Sequence, residues 1–134
     1  MATQRSILIA EDEFGLAELL KDMLGEHGYD VTLAINGRLA LDILGERRVD
    51  LVITDMMMPV MDGAELAMEI RKNQLLRDIP VVAMTSLPLA SVKPAGLYDA
   101  VLRKPFTPDL LLTTMRECLS KKSRKAASDP DPVR

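Results

Sequence analysis

The sequence predicts an α/β domain: a doubly wound, five-stranded parallel sheet with helices on both faces. Two observations carry the prediction. Along the 134 residues, short apolar runs alternate five times with longer stretches of helical period. Several of those runs are apolar throughout rather than at every second residue, as a strand covered on both faces requires. Composition agrees, because 48% hydrophobic and 28% charged residues suit an ordinary globular domain with a real core. The length suits one domain and leaves no room for a second.

The candidate strands are residues 7–10, 31–34, 51–54, 81–84 and 100–102. Between the first two, Leu16, Leu19, Leu20, Met23 and Leu24 recur at i, i+3, i+4, i+7 and i+8, which predicts an amphipathic helix ending near Gly28. Leu39, Ala40, Ile43 and Leu44 repeat the pattern before Gly45, and Leu66, Ala67 and Ile70 mark a third helix after Asp62-Gly63. The last helix opens at Thr107-Pro108, a capping residue followed by proline at the first helical position, and buries Leu111, Leu112, Met115, Cys118 and Leu119. The fourth crossover is the irregular one. Residues 86–97 hold Pro88, Pro94 and Gly96, and an interior proline costs a helix ~3 kcal/mol, so a shortened or broken fourth helix is expected there.

Composition also excludes several function classes. Aromatic residues make up 3% with no Trp, so a stacking platform for bases has little to build on. One cysteine, Cys118, and one histidine, His27, exclude an internal disulfide, a cysteine-rich zinc site and a multi-histidine metal site. Cytoplasmic localisation is expected, since there is no signal-peptide pattern and no apolar run long enough for membrane insertion. Net charge is uneven: residues 1–120 carry −6 and the last fourteen carry +3. An acidic body disfavours direct contact with nucleic acid. Residues 1–120 are read as the domain, and the polar, proline-containing residues 121–134 as a disordered tail.

Polar residues cluster where the strands end. Glu11-Asp12 follow the first strand, Asp55 the third, Thr85 the fourth and Lys104-Pro105 the fifth. In a doubly wound sheet all of these converge on the carboxyl edge, where such sheets bind ligands. Three carboxylates gathered there need a cation between them, and a donor set of oxygens alone specifies a hard one, with Mg²⁺ the expected ion. A carboxylate in that setting can serve as nucleophile toward a phosphoryl group, with Lys104 supplying fixed charge and Thr85 a hydroxyl. Taken singly, each feature has a plainer reading. Glu11-Asp12-Glu13 could be an acidic first helical turn, Met56-Met57-Met58 core filler, and Asp62-Gly63 a turn and helix start. His27 reads as a capping or surface residue and Cys118 as core. The functional reading rests on Asp12, Asp55, Thr85 and Lys104 as a set.

Four blocks, Ile7-Leu8-Ile9-Ala10-Glu11-Asp12-Glu13, Asp55-Met56-Met57-Met58-Pro59-Val60-Met61-Asp62-Gly63, Met84-Thr85-Ser86 and Lys104-Pro105-Phe106, together resemble the receiver domain of two-component response regulators. The resemblance implies a flavodoxin-like sheet of order 2-1-3-4-5. It implies Asp55 as phospho-acceptor, receiving a phosphoryl group from a sensor histidine kinase or a histidine phosphotransfer protein. Asp12, Asp55 and the backbone carbonyl of Met57 would bind Mg²⁺ directly, and Glu11 would reach it through water. Thr85 and Lys104 would contact phosphoryl oxygens, and a cis peptide before Pro105 would help aim the lysine. Such a domain is not an enzyme in the turnover sense, but a phosphorelay acceptor that assists its own phosphorylation and dephosphorylation and signals by contact with a downstream protein.

Two positions depart from the family's pattern. Many members carry an aromatic switch residue three positions before the lysine; here that residue is Val101, and Tyr98 lies too far back in the strand pattern to replace it. The fourth crossover is also short, which alters the surface that usually changes on phosphorylation. The alternatives are a receiver module of a larger hybrid kinase or regulator, a pseudo-receiver, an aspartate-based phosphatase, and a small-ligand module on the same fold. The last would need a Gly/Ser/Thr-rich phosphate loop where Glu11-Asp12-Glu13-Phe14 stands.

Overall fold

The structure, a computed structural model, describes residues 4–92 and 94–128. Five strands, β1 (Ser6–Ala10), β2 (Asp30–Ala34), β3 (Leu51–Asp55), β4 (Val81–Thr85) and β5 (Ala100–Arg103), form one sheet in the order β2-β1-β3-β4-β5. Every pairing is parallel. The helices are α1 (Phe14–Glu26), α2 (Gly37–Glu46), α3 (Gly63–Lys72) and α4 (Pro108–Ser128). The order reverses at β1/β3, which places a crevice above those two strands.

Side chains that alternate along each strand feed two cores. Ile7, Ile9, Ile53 and Met84 pack with Leu20 and Leu24 of α1 and Leu111 and Met115 of α4, while Leu8, Ala10 and Val52 pack with Ala40 of α2 and Leu66 and Ile70 of α3. Cys118 belongs to the first core, as its helical spacing predicts. His27 caps α1, its Nδ1 lying 3.0 Å from the Met23 carbonyl, and Gly28 follows at φ +88°, a conformation glycine adopts without strain.

Every strand boundary falls within one residue of the sequence reading, and the differences that matter lie in β3, β4, α2 and α4. β3 and β4 each run one residue further than expected, so Asp55 and Thr85 are the last residues of strands and inherit their fixed backbone. α2 passes through Gly45 and ends at Glu46, because glycine at ~1 kcal/mol is tolerable in a helix whose apolar face is buried. α4 continues through Ser128, past residue 120 where the tail was expected to begin. Lys121, Lys122, Arg124, Lys125, Ala126 and Ala127 are good helix formers that an established helix can absorb. The remainder of that expected tail, residues 129–134, lies outside the described residues.

The fourth crossover is broken, as its prolines require. Two 3₁₀ turns, Leu89–Ser91 and Ala95–Leu97, replace the helix, each directly preceded by a proline, Pro88 and Pro94. A single side chain closes the far end. Arg71, near the end of α3, donates to the carbonyls of Leu97 (3.1 and 2.9 Å), Arg77 (2.8 Å) and Ile79 (2.8 Å) and to the Asp99 carboxylate (2.8 Å). The same carboxylate oxygen of Asp99 accepts from the Val81 amide at 2.8 Å. Tyr98, between these anchors, packs against the α2/α3 core. Its hydroxyl is buried without a protein hydrogen-bond partner, alone in this among the described residues; stranding such a group costs ~1–3 kcal/mol. Burial, and then the charge of Asp62, push its ionisation upward.

Candidate functional site

The carboxyl edge collects the predicted residues, and backbone contacts fix each one. The Glu11 amide donates to the Ala34 carbonyl at 2.9 Å, so Glu11 continues the β1–β2 ladder and its side chain is carried into the interior, 2% exposed. Asp12, the next residue, is exposed, and Asp55 at the end of β3 is partly buried. Carboxylate oxygens of Glu11, Asp12 and Asp55 all lie within 4.8 Å of one another.

α3 is packed directly onto the end of β3. The Gly63 amide donates to the Met56 carbonyl at 3.0 Å, and a Cβ on Gly63 would overlap the Asp55 carbonyl oxygen and lie 2.9 Å from Met56 Cα. Only glycine allows that approach. Asp62 and Glu65 form a reciprocal capping box, Glu65 amide to Asp62 Oδ1 at 2.9 Å and Asp62 amide to Glu65 Oε1 at 3.0 Å. The structural reading of Asp62-Gly63 therefore holds.

Lys104 binds the cluster together. Its backbone amide donates to the Thr85 carbonyl at 2.7 Å, carrying the β4–β5 pairing one step past the strand, and the Lys104–Pro105 peptide is cis. The ammonium donates to Glu11 Oε1 at 2.9 Å and to Asp55 Oδ2 at 3.1 Å. Burial pushes the Glu11 carboxyl above its ordinary value, against the opposing pull of Lys104. For Lys104 burial acts downward, but its hydrogen bonds to Glu11 and Asp55 and their charges outweigh it, and the net shift is upward. One cation therefore serves two carboxylates, and Asp12 has no share in it. The remaining negative charge, with oxygen donors alone, suits a hard divalent ion.

Thr85 is 1% exposed, and its hydroxyl accepts from the Leu87 amide at 2.9 Å, leaving its own proton to donate. Val101, paired with Ala83, is a half-buried aliphatic side chain in β5. The Met57 amide lies 3.4 Å from Asp55 Oδ1, and Met57 itself is 70% exposed, so it is not core filler, whereas Met58 packs on the α2/α3 core. Two hollows adjoin the cluster. One of about 300 Å³ is lined by Asp12, Met56, Met57, Met58, Pro59 and Asp62. The other, apolar and about 520 Å³, runs beside Lys104 between Leu16, Leu19, Leu20 and Met23 of α1 and Phe106 and Pro108.

Sequence reasoning brought Glu11, Asp12, Asp55, Thr85 and Lys104 to one edge, and the structure brings them there. It did not pair Glu11 with Lys104, since nothing in a sequence shows which carboxylate a lysine will reach. It also missed Arg71, an unremarkable residue near a helix end, and the stranded hydroxyl of Tyr98. No described helix is long and apolar enough to cross a membrane.

Comparison with known proteins agrees with this geometry. The response regulator receiver domain family matches residues 7–116. The response regulator MprA of Mycolicibacterium vanbaalenii is 38% identical over 116 residues, covering 84% of this chain and 49% of MprA, so the chain spans about half the length of this relative. Among solved structures, the response regulator TrrA of Thermotoga maritima in complex with Mg²⁺-BeF superposes with a TM-score of 0.79 at 33% identity over 86% of this chain and 99% of that one. The receiver domain of a histidine kinase from Syntrophus aciditrophicus gives 0.78 at 31% identity over 97% of both. With the sheet order, the carboxylate cluster and the family match in agreement, the chain belongs to the response regulator receiver domain family.

Proposed function

We propose that this domain accepts a phosphoryl group on Asp55 in a Mg²⁺-dependent reaction and passes the signal on by protein contact. The observation that carries the proposal is the Lys104 ammonium held between Glu11 (2.9 Å) and Asp55 (3.1 Å), with Asp12 completing a three-carboxylate cluster. In the reaction an Asp55 carboxylate oxygen forms a bond to phosphorus, and the bond from phosphorus to the donor's histidine nitrogen breaks with the electron pair leaving on that nitrogen. Lys104 already touches the acceptor oxygen and stays beside the oxygens that gain charge. Thr85, its hydroxyl proton free, is placed to donate to a phosphoryl oxygen after a small shift.

Asp12, Asp55 and the Met57 carbonyl would hold Mg²⁺, with Glu11 contacting it through water. The ion supplies charge neutralisation between carboxylates and phosphoryl oxygens. The apolar groove beside Lys104 offers a histidine kinase or phosphotransfer protein a surface adjacent to the reacting atoms. Phosphoryl acceptance needs only residues between Glu11 and Pro105, so the proposal holds whether the domain acts alone or joined to further modules. Cytoplasmic placement and a downstream target that is protein rather than nucleic acid belong to the same proposal.

The test is incubation with acetyl phosphate and Mg²⁺ followed by intact mass measurement. A gain of one phosphate in the wild type that is absent in Asp55→Asn supports the reading. A folded wild type that takes up no phosphate identifies a pseudo-receiver, and continuous turnover of phosphate esters identifies a phosphatase.

A further inference from the structure

The loop that carries Met57 is strained, and a neighbouring helix holds it so. Val60 has φ +71°, and the Met61 amide donates across it to the Pro59 carbonyl at 2.8 Å. A hydrogen bond from residue i+2 back to residue i around a positive φ is the strained form of the γ-turn, and a β-branched side chain is poorly suited to it. Val60 is also 79% exposed, so no burial offsets the strain. Its conformation is imposed by what surrounds it.

Gly37 imposes it. This first residue of α2 is buried, and its amide donates to the Met61 carbonyl at 2.9 Å. A helical position does not itself call for glycine, which weakens a helix relative to alanine. The requirement comes from across the gap: a Cβ on Gly37 would stand 2.6 Å from the Met61 carbonyl oxygen and 2.8 Å from Met61 Cγ. The start of α2 is fixed in turn by Asn36, whose side chain accepts from the Leu39 amide at 2.8 Å.

We propose that Gly37 is a positioning residue for the metal: by tying Met61 to the start of α2 it keeps Val60 in the strained turn, and so keeps the Met57 peptide beside Asp55. The inference rests on the proposed Mg²⁺ site and adds to it a residue that is not one of its ligands.

The loop is bracketed by backbone contacts. At its base the Gly63 amide donates to the Met56 carbonyl and the Met56 amide to the Met84 carbonyl, both at 3.0 Å. At its far end stand the Gly37–Met61 bond and the capping box of Asp62. Between them, Met57 is where the loop meets the acidic cluster, its amide 3.4 Å from Asp55 Oδ1 and its side of the hollow facing Asp12. The ring of Pro59 fixes its own φ, so slack released at Met61 is taken up first at Val60, the residue that gains most by moving. Relaxation of Val60 toward negative φ shifts the Met57 peptide with it. Mg²⁺ demands near-ideal geometry from its oxygen ligands, so a displaced carbonyl is a weakened one.

The test is a double-mutant cycle read by Mg²⁺ titration of the Asp12 and Asp55 amide resonances. Gly37→Ala is expected to bind Mg²⁺ about tenfold more weakly than the wild type, the weight of one hydrogen bond. Val60→Gly alone should leave the affinity unchanged, because the turn is already held. Glycine takes a positive φ without strain, so the double variant no longer needs the tie and should recover most of the lost affinity. A glycine that serves only the packing of α2 gives no such rescue. Linkage adds a measurement on the wild type that does not depend on Gly37→Ala folding: if opening the Gly37–Met61 bond weakens binding about tenfold, saturating Mg²⁺ must slow hydrogen exchange of the Gly37 amide by the same factor. Wild-type affinity in folded Gly37→Ala, a loss that Val60→Gly does not restore, or Gly37 exchange indifferent to Mg²⁺ overturns the positioning role and leaves the metal site standing. No Mg²⁺-dependent shift at Asp12 and Asp55 in the wild type overturns both.

Discussion

The two halves of the carboxyl edge are built by different means. At β1 and β3, Leu8, Ile9, Val52 and Ile53 are fully buried, α3 lies on the end of β3 through Gly63, and each carboxylate of the cluster sits at a strand end or one to two residues beyond it. Between β4 and β5 no regular helix forms, Leu87 and Leu89 are exposed, and the segment is closed by the hydrogen bonds of one guanidinium. Chemistry that must be placed to within tenths of an ångström sits where regular structure fixes it. The segment with fewer buried apolar contacts is the one that can rearrange without dismantling the site.

The comparison is broken most severely from the rigid side. Gly63→Ala sets a methyl group against the Asp55 carbonyl, a backbone atom that cannot yield without moving Asp55. We expect a loss of about 3 kcal/mol, at the upper end for overpacking, read as a lower urea midpoint, together with a large fall in the rate of phosphorylation from acetyl phosphate. A variant of wild-type stability would show that α3 is free to slide.

Next comes the clamp. Arg71→Met keeps the aliphatic stem and deletes the donors to Leu97, Arg77, Ile79 and Asp99. A loss of about 2–3 kcal/mol is expected, since hydrogen bonds to charged groups contribute ~1.5–3 kcal/mol each and several carbonyls regain water on opening. Amide hydrogen exchange locates the effect: protection should fall at Val81 and across 86–99 and persist in β1 and β3. An equal loss over the whole sheet would show that the two halves are not separable.

How far the sequence made this legible follows from the same contrast. Strand ends and helix faces are periodic, so Glu11, Asp12, Asp55, Thr85 and Lys104 could be placed on one edge from spacing alone, and Pro88 and Pro94 announced the broken crossover. The helix start at Asp62-Gly63 was readable in the same way, but not the capping box that Asp62 forms with Glu65. What replaces the missing helix was not. Arg71 works through carbonyls far along the chain, Tyr98 fills space that only tertiary structure defines, and the pairing of Lys104 with Glu11 depends on which oxygens the fold brings within 3 Å. The end of α4 was misplaced because a polar, lysine-rich stretch reads as tail by composition, although its residues extend a helix readily.

Lys104 joins the two halves, and its removal has a smaller, conditional effect. Lys104→Met leaves the Glu11 carboxyl, 1% exposed at its side chain, without its counterion. Because Glu11 can take up a proton, the expected cost is about 1–2 kcal/mol rather than the full penalty of a broken buried pair. If Mg²⁺ occupies the proposed site, it should stabilise this variant more than the wild type, as a rise in Tm on adding the ion. The pH dependence has a definite sign. The Lys104 ammonium is held above the ordinary lysine value of 10.5, so its contribution is complete below that pH and is lost as pH climbs through the raised value. The stability difference between wild type and Lys104→Met should therefore widen with pH where the unpaired Glu11 gives up its proton, and shrink above pH 10.5 as the ammonium is lost. A difference that vanished near neutral pH would mean that the ammonium is not held by the two carboxylates.

The smallest effect is expected where the domain is least regular. Leu89 lies in the first 3₁₀ turn and is 53% exposed, so Leu89→Ser gives up little buried area and should change stability by under about 0.5 kcal/mol. In an ordinary fourth helix a leucine near the start of the crossover would cover the sheet, and the same change would cost ~2 kcal/mol or more. Urea unfolding separates the two cases cleanly. A near-silent Leu89→Ser beside a costly Arg71→Met would show that the segment is fastened at its far end by polar contacts and rests on the sheet only lightly at its near end, next to Thr85. That asymmetry would leave the end next to Thr85 free to move while the end nearest Tyr98 stays anchored by Arg71.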